Sequence, residues 1–94
     1  MNKDEVKSLF ERHTKKNYKK SGIFLYRFPS ENETVDKVEA FCYHGKTIEF
    51  VAPWGEKMLC EDGDYIARPL GGSPEDIYRI EKQIFNQTYT EIVT

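Results

Sequence analysis

Ninety-four residues are enough for one domain and too few for two. Six Phe, six Tyr and one Trp supply the large apolar surface that a disordered chain lacks. No apolar run approaches the roughly 18 residues a membrane-spanning helix needs, and two cysteines are too few for a disulfide scaffold. The net charge of −2 hides an asymmetry. Residues 1–30 hold eight Lys/Arg against three Asp/Glu, and residues 31–94 hold six against thirteen, so a +5 head precedes a −7 body. The polar start, Met1-Asn2-Lys3-Asp4-Glu5, has no apolar stretch behind it and predicts no export signal. Cys42 and Cys60 are therefore expected to be reduced thiols in a cytoplasm.

The domain is predicted to span residues 1–94, with a helix over 3–20 and a β-rich body over 23–93. Asn2 is placed as N-cap with Glu5 three residues on, the capping-box spacing. Asp4 and Glu5 add negative charge at the positive end of the helix dipole. Val6, Leu9, Phe10 and His13 recur at helical spacing and form one stripe. Lys15, Lys16, Lys19 and Lys20 crowd the far end, and Ser21-Gly22 is the expected stop.

Beyond Gly22 the period changes. Ile23 to Phe28 is aromatic and aliphatic throughout and predicts a strand buried on both faces. Pro29 to Glu33 is a polar loop. Lys37 to His44 alternates, and with Thr47 to Val51 it predicts a hairpin around His44-Gly45. Pro53-Trp54-Gly55 is a turn, because proline presets φ and glycine suits the turn's last position. Short strands follow at Lys57–Cys60 and Tyr65–Arg68, separated by the turn Glu61-Asp62-Gly63-Asp64 and ended by Pro69. Leu70 to Pro74 is a loop and Ile77–Ile80 a strand. Ile84-Phe85 fits a single helical turn before a last strand over Thr88–Val93. The expected class is α+β: an N-terminal helix packed on a small antiparallel sheet, or a partly open barrel, of about five to six strands.

The run Pro53-Trp54-Gly55, Gly63-Asp64-Tyr65-Ile66, Ile77-Tyr78 and Ile84-Phe85-Asn86-Gln87-Thr88-Tyr89 resembles small phage- and prophage-encoded proteins of unassigned function. The resemblance covers roughly residues 45–93. It implies mobile-element ancestry and a shared small β fold, and it implies no activity. Physically, the same residues look fold-determining. Gly63 permits a tight turn, Asp64 is suited to binding nearby backbone N–H groups, and Ile84, Phe85 and Tyr89 would return the chain end to the sheet.

Chemistry-bearing residues are scattered. Cys42, His44, Cys60 and His13 lack the closely spaced pairs of a zinc site, and no third group orients a Cys/His nucleophile. Glu61, Asp62 and Asp64 lack the alternation of a calcium loop, and Gly71-Gly72-Ser73 lacks the lysine of a phosphate loop. The expectation is no catalytic residue, no cofactor and no metal. Two surface features remain. Arg12, Lys15, Lys16, Lys19 and Lys20, with Tyr18 among them, read as an ordinary basic helix end, with a polyanion contact and a docking surface for an acidic partner as the functional candidates. Trp54 at its turn tip, with its ring either exposed or folded back over the sheet, and Tyr18 are candidate interface residues. The leading expectation is a non-enzymatic, phage- or prophage-derived accessory protein that binds a macromolecular partner, with self-association into a homo-oligomer a further expectation. A nucleic-acid-associated regulator using the basic residues is the alternative. A nucleotide-binding anti-defence protein is a third reading.

Overall fold

The computed structural model describes residues 1–20 and 37–93. The helix stop at Ser21-Gly22, the strand over 23–28 and the loop over 29–33 lie outside the described residues.

Helix α1 (Lys3–Arg12) begins as its capping box dictates. The Asn2 side chain accepts from the Glu5 N–H, and the Glu5 carboxylate accepts from the Asn2 N–H. Val6 and Phe10 are buried and Leu9 partly so, as the apolar stripe requires. The helix ends at Arg12, eight residues before the predicted limit. His13 is the extended C-cap, and Lys16–Lys20 forms strand β1. The lysines explain the correction. A continued helix would stack Lys15 on Lys19 and Lys16 on Lys20, two repulsive i,i+4 pairs. As a strand the segment pairs on both sides and sends Tyr18 against Phe85.

The remaining elements are β2 (Lys37–Cys42), β3 (Ile48–Val51), β4 (Lys57–Cys60), β5 (Tyr65–Pro69), β6 (Tyr78–Ile80), α2 (Lys82–Thr88) and β7 (Tyr89–Glu91). Five strands form an antiparallel sheet in the order β6-β5-β2-β1-β7, and β3 with β4 forms a separate two-stranded ribbon. The main sheet keeps two ends, β6 and β7, and does not close into a barrel. The architecture is α+β.

The hairpin predicted around His44-Gly45 does not form. Strand β2 carries apolar side chains on both faces, which suits a central position, and it pairs with β1 and β5 instead. Strand β3 pairs with β4 across the Pro53-Trp54-Gly55 turn, where the Gly55 N–H bonds the Ala52 carbonyl at 2.9 Å. Gly55 takes φ +93°, a conformation that glycine adopts at no steric cost.

Two cores lie on the two faces of the sheet. On one, Val6 and Phe10 of α1 meet Phe41, Tyr43 and Ile66 of the sheet side and Phe50 and Cys60 of the ribbon. Arg68 crosses this face, holding Glu39 at 2.9 Å with its guanidinium over the Phe10 ring. On the other, Val38, Ala40, Ala67 and Ile80 lie under Phe85 of α2. Tyr65 stacks on Phe85 at 3.7 Å and Tyr89 at 5.0 Å, and Tyr18 meets it edge-on. Helix α2 is two turns rather than the expected one. Glu81 caps it, accepting from the Gln83 and Ile84 N–H groups. Of the chain-end residues expected to pack down, Phe85 and Tyr89 do so, while Ile84 projects into solvent because it lies on the outer side of α2.

Candidate interaction surface

Six large hydrophobic side chains are exposed among the described residues, and three of them belong to the β3–β4 ribbon: Val51 (44% exposed), Trp54 (59%) and Leu59 (55%). A fourth, Met1, is anchored beside it, its terminal ammonium donating to the Glu49 carbonyl of β3. The strand period explains the clustering. Phe50 and Cys60 turn inward and are buried, so the alternate positions, Glu49 and Val51 on β3 and Lys57 and Leu59 on β4, all face out. Glu49 pairs with Leu59 and Val51 with Lys57.

Trp54 stands at the ribbon's tip. Its indole N–H donates to the Glu56 carboxylate at 2.9 Å, and its ring leans on Tyr78 at 5.5 Å. The turn thus holds the indole in place while leaving most of it in water. Tyr18, the other interface candidate, is half-buried against Tyr65 and Phe85 and belongs to the second core. Sequence reasoning missed Val51 and Leu59. A signal existed, because Met58-Leu59-Cys60 is three consecutive apolar residues and a strand with one buried face must turn one of them outward.

The basic residues do not converge. The Arg12 guanidinium donates to the Ser8 carbonyl within α1. Lys15 folds back over the Phe10 ring and donates to the Phe10 and His13 carbonyls, capping the helix end. Lys16 approaches Glu91 at 3.8 Å. Strand alternation sends Lys16 and Lys20 to the α2 face and Lys19 to the other. The candidate polyanion contact is therefore divided between a helix end and two sheet faces.

Where β1 begins, β2 runs on past it, and a groove of about 520 Å³ opens there between His13, Lys16, Tyr18, Cys42 and Tyr65. The His13 ring stacks on Phe41 at 4.1 Å, and its Nδ1 bonds the Leu9 carbonyl. Burial pushes the Cys42 thiol and the Tyr18 and Tyr65 hydroxyls up from their ordinary pKa values. All three are thus neutral and weakly nucleophilic at neutral pH. Burial also pushes Cys60 up, to about 12. Both thiols are free. Among the described residues no three His, Cys, Asp or Glu side chains are grouped to hold a metal ion, and no helix is long and apolar enough to cross a membrane.

Asp64 is structural. Its Oδ1 accepts from the Lys82 N–H, and its Oδ2 accepts from the Glu61 N–H and the Arg79 guanidinium at 3.1 Å. Gly63 beside it takes φ +94° and accommodates the Lys82 stem, which a Cβ would meet at 3.3 Å. The Gly63-Asp64-Tyr65-Ile66 run thus joins the β4–β5 turn, β6 and the start of α2. Asp62, in the same turn, accepts from the Gly45 N–H and lies beside the His44 imidazole, which together hold its carboxyl below the usual range.

No protein-family model matches the chain, and no curated protein and no solved structure matches it.

Proposed function

We propose that the chain is a non-enzymatic contact protein of phage or prophage ancestry, acting in the cytoplasm by binding a macromolecular partner through the β3–β4 ribbon. The observation that carries this reading is the concentration of exposed apolar side chains, Val51, Trp54 and Leu59, on one ribbon outside the main sheet. A buried chain end or a poorly formed core would scatter such residues. Here the inward positions of the same two strands are well packed, so the outward positions are available for contact. A tryptophan fixed by its own turn loses little further freedom on binding, which suits an interface anchor. The raised, neutral Cys42 thiol and Tyr18 and Tyr65 hydroxyls of the β1–β2 groove support the non-enzymatic part, since none of these three is an activated nucleophile. Two free thiols fit a reducing compartment. The phage ancestry rests on the resemblance of residues 45–93.

The test is photo-crosslinking in the cells that naturally carry the protein. A photoreactive amino acid at Leu59 should give a discrete covalent product, and the same group at exposed Glu11 of α1 should give none. Products that are identical at both positions, or absent from both, would remove the ribbon from consideration.

A further inference from the structure

The outward face of the ribbon carries a charge pattern of its own. Its four side chains form a rectangle: Glu49 and Val51 along β3, Leu59 opposite Glu49, and Lys57 opposite Val51. The acid and the base therefore occupy one diagonal, and the two aliphatic side chains the other. All four are exposed. Neither Glu49 nor Lys57 makes an ion pair among the described residues; the four pairs present involve other residues.

Such a face is complementary to itself. A two-fold axis laid along the Val51–Leu59 diagonal sets Val51 on Val51 and Leu59 on Leu59 of a second copy. The same operation brings Glu49 over Lys57 twice. With strands about 4.8 Å apart and alternate residues about 6.8 Å apart, the acid and base then fall within about 3 Å of superposition, inside the reach of both side chains. The same spacings make the two ribbons cross at about 70°, close to the orthogonal class of sheet packing. The axes along and across the strands are worse, because they place every charge on an aliphatic group, and the axis along the other diagonal is worse because it sets Glu49 on Glu49 and Lys57 on Lys57. We infer that the partner of this face is a second copy of the chain, bound through an isologous contact of two β3–β4 ribbons. The inference rests on the ribbon being the contact surface and adds the identity of its occupant.

Four residues a side bury far less than the roughly 1,000 Å² of a stable interface. The dimer is accordingly weak and forms with rising concentration. Sedimentation equilibrium on the full chain from about 10 µM to about 1 mM brackets the affinity such a contact supports. The wild type should pass from monomer to dimer over that range. Glu49→Lys places two lysines over each other twice and should weaken association by about tenfold or more, as should Lys57→Glu with two acids. The double variant E49K/K57E exchanges the corners of the diagonal and should restore association to near the wild-type value. All four residues are exposed, so unchanged melting midpoints will show that the variants fold.

A monomer at every concentration overturns the inference. So does a dimer indifferent to the single variants, or one that the double variant fails to restore. Cross-linking at Leu59 separates these failures from failure of the contact reading. A product with a different macromolecule alongside a monomeric chain would keep the ribbon as the surface and discard the second copy.

Discussion

Asp64 joins three segments with one carboxylate and is almost fully buried. Replacing it with alanine leaves the Arg79 guanidinium and two backbone N–H groups without their acceptor. Loss of one partner of a buried pair costs about 3–5 kcal/mol, and urea unfolding of Asp64→Ala should show a loss of that order. Cys60 acts at the same scale through its proton. Its folded pKa, about 12, lies above the ordinary value of 9.0 because burial disfavours the thiolate. Below about pH 9 the thiol is protonated in both folded and unfolded chains, and its contribution is intact. As the pH rises from about 9 to about 12 the unfolded chain loses the proton and the folded chain keeps it, so stability falls, by up to about 1.4 kcal/mol per pH unit. The raised tyrosines Tyr18, Tyr65 and Tyr78 act in the same direction at high pH. The unfolding midpoint of Cys60→Ala should therefore fall less steeply across that range than that of the wild type. Equal slopes would mean that Cys60 is not shielded.

Among the elements, α2 depends on one ring. Phe85 is the hub of Tyr18, Tyr65 and Tyr89, so Phe85→Ala should cost about 3–5 kcal/mol and release α2 and β7 together, seen as lost amide protection in both by hydrogen exchange. Strand β1 carries an unfavourable pairing, with Lys19 directly opposite Lys37. Like charges so placed repel, and Lys19→Glu should stabilise by about 0.2–1 kcal/mol, an effect that salt diminishes. The elements also show what the sequence made legible. The capping box and the Val6–Phe10 stripe located the start of α1 because those signals are local. The end of α1 was hidden because a lysine cluster is compatible with a helix terminus, and only pairing with β2 and β7, remote in sequence, makes the segment a strand. The hairpin error has the same origin. Adjacent strands with a glycine between them suggest a hairpin, but the two-sided apolarity of β2 demanded neighbours on both sides. Trp54 could be named from its turn. Val51 and Leu59 became visible only once the register of β3 and β4 fixed which residues face out.

The whole molecule divides its apolar surface unequally. Both faces of the five-stranded sheet are covered, one by α1 and the ribbon and the other by α2, while the outer side of the ribbon keeps Val51, Leu59 and the tip Trp54 in water. The basic residues are scattered, and the proposed contact rests on these exposed apolar side chains of the ribbon. The chain has one tryptophan, so its fluorescence reports on the ribbon tip alone. In dilute, monomeric protein its emission should lie at the red, water-exposed end, and acrylamide should quench it readily. Blue-shifted emission that resists quenching under the same conditions would put Trp54 inside the fold and rule it out as an exposed contact residue.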